Sequence, residues 1–269
     1  MTDAPSPIRL SGWALVLGAS SGFGAATARA LAAAGLDIFG VHLDRRATLP
    51  AAERAAEAVQ ALGRRAEFFN VNAADPERRA EVIEGMAGVL AGGERLRVLL
   101  HSLAFGTLKP FVAEDPKDVV TASQMAMTVD VMAHSLVYWV QDVVARGLMG
   151  PGGRIFAMTS SGSTHALPHY GPVSAAKAAL ESHIRQIAVE LAPRAITANA
   201  IRAGVTATPA AQKIPGYDVL EDGARRRNPS GRLTTPEDVA RAIVVLSHPD
   251  TAWITGNVIG VDGGEDVVL

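Results

Sequence analysis

Apolar runs of four or five residues alternate along this chain with longer stretches whose hydrophobic spacing is helical, and turn residues separate them at intervals suited to strand–helix–strand units. The runs predict strands at Trp13–Leu17, Ile38–His42, Ala66–Asn70, Val98–His101, Arg154–Met158, Thr197–Ile201 and Val258–Val261, most of them apolar enough to be buried on both faces. The spacing predicts helices over Gly22–Ala34, Pro50–Leu62, Pro76–Leu90, Met127–Arg146, Ser174–Leu191 and Pro236–Ser247, several opened by proline or a small polar residue. Right-handed crossovers turn such a chain into an α/β domain. It is a doubly wound, seven-stranded parallel sheet with helices on both faces, and its ligand lies beyond the carboxyl ends of the strands. No proline- or serine-rich linker interrupts the alternation, so residues 10–269 read as a single domain behind a flexible segment, residues 1–9.

A formal charge of −2 supplies no broad positive field for a phosphate backbone, which argues against nucleic acid as a partner. The absence of cysteine removes disulfides, thiolate nucleophiles, zinc ribbons and iron–sulfur clusters. Met1–Leu10 has no basic stretch followed by an apolar run, and no apolar segment reaches the roughly eighteen residues that span a bilayer. The expectation is a cytoplasmic protein that neither enters nor crosses a membrane. His165 and His169 stand four apart, but Pro168 and a loop setting deny them a common helical face, so no metal site is expected.

Directly after the first strand comes Gly18-Ala19-Ser20-Ser21-Gly22-Phe23-Gly24, opening into a helix. The first glycine allows the tight turn, and the later ones let backbone N–H groups and the helix N-terminus approach a pyrophosphate without a Cβ in the way. At the end of the second strand, His42-Leu43-Asp44-Arg45-Arg46 occupies the place where a dinucleotide's adenosine ribose is sensed. An acid there favours a free 2′-hydroxyl and arginines favour a 2′-phosphate. Asp44 lies one place late and Arg45 and Arg46 follow, which tips the expectation to NADPH with NADH as the alternative. Two stretches, Phe105–Gln124 and Thr206–Thr235, fall outside the alternation and follow strand ends, where substrate loops sit. The second is the expected lid.

Tyr170-Gly-Pro-Val-Ser-Ala-Ala-Lys177 carries the chemistry, with Ser160 shortly before it in the run Thr159-Ser-Ser-Gly-Ser163. Through the Gly18 turn, Tyr170/Lys177, Asn199-Ala-Ile-Arg-Ala-Gly204 and Val261-Asp-Gly-Gly264, the chain resembles the short-chain dehydrogenase/reductase family over nearly its whole length, which implies a single-domain Rossmann fold. The common spacing of that family, Tyr-x-x-x-Lys, would put tyrosine at position 173, where this chain has Val173. The longer spacing from Tyr170 to Lys177, together with His101-Ser-Leu-Ala-Phe105 and Ala203-Gly204, resembles the enoyl-acyl carrier protein reductases, and the second half is similar to their NADPH-using bacterial subgroup. Ser160 stands where many of those enzymes carry a second tyrosine and where carbonyl reductases keep their serine.

The resemblance implies reduction of a trans-2-enoyl thioester, on acyl carrier protein or coenzyme A, by a homotetramer. In this picture Tyr170 donates to the thioester oxygen, Lys177 binds the nicotinamide ribose and lowers the phenol's pKa, and Ser160 completes the catalytic set. Gly18, Ser20, Ser21, Gly22, Phe23, Gly24, Asp44, Arg45, Asn72, Ala73, Ser102, Leu103, Lys177, Thr206 and Thr208 line the cofactor, and Phe105, Gly106 and Tyr170 face the substrate. A carbonyl-reducing member of the same family, with Ser160 holding a ketone oxygen, stays open, as does a protein that binds NADP without turnover.

Overall fold

The computed structural model describes residues 8–268, so the flexible segment expected at 1–9 lies, up to residue 7, outside the described residues. Seven strands, β1 (Trp13–Leu17), β2 (Asp37–His42), β3 (Ala66–Asn70), β4 (Leu96–His101), β5 (Met149–Ser160), β6 (Thr197–Ala203) and β7 (Val258–Val261), form one sheet in the order β3-β2-β1-β4-β5-β6-β7. Every pairing is parallel. The helices are α1 (Gly22–Ala33), α2 (Leu49–Gln60), α3 (Pro76–Val89), α4 (Ala122–Val129), α5 (Ser135–Ala145), α6 (Gly171–Leu191), α7 (Tyr217–Arg227) and α8 (Pro236–Leu246).

Strand alternation sorts the core into two layers. Trp13, Leu15 and Leu17 face α3, α5 and α6, packing with Met86, Trp139 and Leu180. Ala14 and Val16 face α1, α2 and α8, packing with Leu31, Val59 and Ile243. Helices therefore cover both faces of the sheet, and the strands at its centre are buried on both sides. The apolar face of α5 is consumed within the chain itself, with Leu136, Trp139 and Val143 at most 1% exposed.

Three departures from the sequence expectation are the largest. The helix expected over Met127–Arg146 begins earlier, at Ala122, because Thr121 and Gln124 form a reciprocal capping box. It is then interrupted by a π-helical turn, Asp130–His134, before α5 resumes. β5 starts at Met149, which pairs with Leu96; the register then shifts so that Arg154 pairs with Val98. Finally, the stretch expected to be a lid loop contains α7, whose sole fully buried residue is Ala224 and whose Val219 is 70% exposed. Asp218 in its first turn and Arg225, Arg226 and Arg227 in its last complement the helix dipole, a signal that hydrophobic spacing does not register. Among the described residues no helix is long and apolar enough to cross a membrane.

Candidate active site

The carboxyl ends of β1, β2, β4 and β5 converge because Leu17 is in register with Val41 and with His101, and His101 with Ala157. At this edge Gly18 turns with φ +90°, and a Cβ there would meet the Ser102 carbonyl oxygen at 2.4 Å. Leu103 stands against the same turn, its Cδ2 3.6 Å from that position. Ser21 is the N-cap of α1 and makes no side-chain capping bond, so the first N–H groups of the helix stay available to a ligand. Gly22 also has positive φ, and the methyl of Thr208 lies 3.3 Å from where its Cβ would stand. The first residues of the 206–235 stretch thus lie over the helix N-terminus. A glycine-walled cradle with uncapped amides suits a dinucleotide pyrophosphate, and Gly18, Ser20, Ser21, Gly22 and Gly24 are the residues that would hold it. Phe23 turns its ring into the layer with Leu31 and Val59, leaving its backbone for the cradle.

Asp44, just beyond the end of β2, is an acid held in place on several sides. Its N–H donates to Asn70 Oδ1 and its carbonyl accepts from Asn70 Nδ2, each at 2.9 Å. Its carboxylate meets His42 Nδ1 at 2.9 Å. Burial pushes this carboxyl up, but hydrogen bonds with Thr48, Ser20 and His42 and the attraction of His42 outweigh it, so the group ionises below the usual range. Arg45 and Arg46 are exposed and make no ion pair among the described residues. Further along, Asn72 closes a turn by accepting from the Ala74 N–H at 3.1 Å, and the Ala73 carbonyl accepts from Trp139 Nε1 at 2.8 Å. Both lie at the end of β3, beside Asp44's partner Asn70.

Tyr170 is the N-cap residue of α6, and Lys177 lies two turns into that helix. Lys177 Nζ donates to the Met158 carbonyl at 2.7 Å. Burial lowers the lysine to about 8, against which Glu181 pulls it up. Burial pushes the Tyr170 phenol above its ordinary value, partly offset by Ser160. The expected lowering of the phenol by Lys177 is therefore corrected: enclosure dominates, and the ammonium is directed to the strand. Ser160 Oγ is buried beside Tyr170 without a well-formed hydrogen bond. The tyrosine ring lies against Gly162, where a Cβ would meet Tyr170 Cε1 at 2.6 Å. Val173 is 4% exposed and packs with Met132 and Ala176.

The substrate side is less uniform. Phe105 is 64% exposed. Gly106 is a close-approach position, since a Cβ there would meet Met132 Sδ and Thr128 Cγ2 at 2.8 Å, so it faces packed side chains and not open space. Phe111, which the sequence reading passed over, lays its ring on Gly171, next to Tyr170. Thr206 donates to the Gly204 carbonyl at 2.9 Å, and Thr208 accepts from Ala211 N at 3.1 Å. Glu265 accepts from the Val205 N–H at 3.2 Å and ties the C-terminal segment to the start of the 206–235 stretch. His101 is fully buried, with Nε2 2.8 Å from Ser135 Oγ, and burial with the nearby Lys177 charge lowers it to about 3. No group of three or more metal-ligating side chains occurs among the described residues.

Residues 18–265 match the family described as Enoyl-(Acyl carrier protein) reductase. The NADH enoyl-[acyl-carrier-protein] reductase of Aquifex aeolicus is 31% identical over 175 residues, which span 64% of this chain and 63% of that relative. An uncharacterised oxidoreductase of Mycobacterium tuberculosis is 30% identical over 254 residues, covering 93% of this chain and 90% of its own length. In fold, the crystal structure of the Aquifex aeolicus NADH reductase superposes with a TM-score of 0.82 over 98% of both chains at 24% identity.

Proposed function

Because the chain belongs to the short-chain dehydrogenase/reductase family, which it matches through the enoyl-(acyl carrier protein) reductases, we propose that it reduces the carbon–carbon double bond of trans-2-enoyl thioesters. The position of the phenol carries this reading. Val173 fills a packed apolar site at the place of the family's usual tyrosine, and the phenol comes instead from Tyr170 at the N-cap of α6. A donor placed seven residues before Lys177, at the N-cap and not inside the helix, would suit a conjugated acyl thioester.

When bound, the reduced nicotinamide supplies a hydride to the β-carbon. The Tyr170 hydroxyl donates to the thioester oxygen as enolate charge collects there, a contribution of about 3–4 kcal/mol for one well-placed donor. Burial keeps that phenol protonated. Lys177, anchored on the Met158 carbonyl, retains N–H donors for the nicotinamide ribose hydroxyls. Phe105, Phe111 and the 206–235 stretch are the groups that would close over the reacting carbons when substrate is bound. The α-carbon then takes a proton from water, and the double bond becomes single.

For the cofactor we propose NADPH. Asp44 already engages His42, Ser20 and Thr48, so the charges left free at the ribose end are Arg45 and Arg46. NADH is the alternative, with Asp44 accepting from the ribose diol. The family resemblance further leads us to propose a cytoplasmic homotetramer acting on acyl groups carried by acyl carrier protein or coenzyme A; a monomeric mass in solution would overturn the assembly.

The direct test follows the reduced-nicotinamide absorbance with crotonyl-coenzyme A and either NADPH or NADH. Turnover that falls sharply in Tyr170→Phe supports the proposal. Ser160, buried beside the phenol, favours one second reading, reduction of a carbonyl held by the serine and tyrosine together. Consumption of acetoacetyl-coenzyme A but not of crotonyl-coenzyme A, lost in Ser160→Ala, would replace the first reading with this one. Tight NADPH binding with neither thioester consumed would leave a binding protein.

A further inference from the structure

Two consecutive residues at the end of β5 hold two residues one turn apart on α6. The Met158 carbonyl accepts from Lys177 Nζ at 2.7 Å, and Thr159 Oγ1 donates to Glu181 Oε1 at 2.6 Å. Thr159 is 5% exposed, Lys177 5% and Glu181 9%, so all three side chains are withdrawn from water. Positions i and i+4 of a helix share a face, so the Glu181 carboxylate stands on the same side of α6 as Lys177 and its charge reaches the ammonium through space without a direct ion pair. An anion is costly to bury without a specific donor, and Thr159 supplies one.

We propose that Glu181, oriented by Thr159, is a positioning residue that keeps Lys177 protonated and aimed at the cofactor side of the site. The other groups around the lysine cannot take this part. His101, from β4, is fully buried and neutral above about pH 3. Tyr170, from the connection before α6, is held protonated by burial. His134, from the π-helical turn packed on α6, is engaged with His183 at 3.0 Å. Glu181 is the group that raises the lysine, whose pKa burial alone would depress further below its value of about 8. Removing the carboxylate charge therefore exposes Lys177 to the full effect of its enclosure.

The experiment reads the lysine itself. The chain contains only Lys109, Lys117, Lys177 and Lys213, so isotope-labelled lysine side chains give few signals, and Lys177→Met assigns the buried one. In the full-length wild-type protein the Lys177 signal titrates near pH 8. In Glu181→Gln, which still accepts from Thr159, the midpoint falls by about one pH unit or more, while Glu181→Asp stays nearer wild type. Binding of NADPH or NADH, followed by nicotinamide fluorescence, then weakens about fivefold or more at pH 8 in Glu181→Gln and changes less than about twofold at pH 6. An unchanged Lys177 midpoint in Glu181→Gln overturns the proposal. Should that variant not fold, Thr159→Val tests the same link: a lowered midpoint supports it and an unmoved one overturns it. The binding measurement rests on the cofactor role given to Lys177 above, whereas the titration does not, so a shifted midpoint with unchanged binding would fault that role and leave the Glu181 pairing standing.

Discussion

A Cβ placed on Gly24 would stand 1.9 Å from the carbonyl oxygen of Gly18, so the turn between β1 and α1 closes on itself at a distance only a hydrogen tolerates. The obstacle is backbone, which cannot swing aside as a side chain would. Gly24→Ala is expected to lose about 1–3 kcal/mol of stability or more, and to abolish dinucleotide binding because the first amides of α1 are displaced. Gly88→Ala is the control: it lies within α3 with nothing within 4 Å of its Cβ position, and is expected to stabilise by up to about 1 kcal/mol. Denaturant unfolding together with NADPH titration separates the two.

The same contrast explains what the sequence could reveal. β1 falls where its apolar run predicts, because a strand buried on both faces is written in consecutive residues, and the partly exposed edge strands β3 and β7 fall on their predicted bounds as well. The glycine turn and the Tyr170/Lys177 spacing are legible for a similar reason, since each lies within one local stretch. Helix α7 is not legible in this way, because it buries almost nothing and carries its helical signal in charge placement. Thr159 and Glu181, 22 residues apart, escaped because neither means anything until β5 and α6 are packed together. Phe111 against Gly171 and His42 with Asp44 escaped likewise, although His42 and Asp44 are close enough in sequence for the pairing to have been considered.

Tyr170→Phe keeps the ring that lies against Gly162 and removes only the hydroxyl. Enoyl turnover is expected to fall about 100-fold to 1,000-fold with cofactor affinity changed less than about twofold, as for loss of one donor to a developing oxyanion. Because burial raises this phenol, its ionisation does not limit the rate near neutral pH. A double variant, Tyr170→Phe with Val173→Tyr, is not expected to recover activity, since position 173 is enclosed by Met132 and Ala176. Steady-state kinetics beside direct NADPH binding checks both statements.

His101 makes the protein sensitive to acid. It is neutral in the fold down to about pH 3 and titrates near 6.5 when exposed, so between these values the unfolded chain binds the extra proton. Stability therefore falls as pH drops through this interval, by about 1.4 kcal/mol per pH unit at most and on the order of 5 kcal/mol in all. Ser135 Oγ retains its bond to the Val131 carbonyl at 2.8 Å without the imidazole, so His101→Leu is expected to fold and to show a shallower acid slope. Urea unfolding at pH 7 and pH 4.5 measures the difference; equal slopes in the two proteins would place the acid sensitivity elsewhere.

Cofactor choice turns on which charges at the end of β2 remain free. Asp44 is bound to His42 at 2.9 Å and its backbone is clamped by Asn70, so it is a fixed feature of the ribose end. Arg45 and Arg46 extend into solvent. Replacing both by alanine is expected to weaken NADPH at least about tenfold and to leave NADH within about twofold, because only the 2′-phosphate needs their charge. Raising the salt concentration should weaken wild-type binding of NADPH more than that of NADH, since exposed charge pairs are screened. If instead Asp44→Asn weakens NADH strongly while the arginine pair proves silent toward NADPH, the carboxylate is reading a ribose diol, and the protein uses NADH.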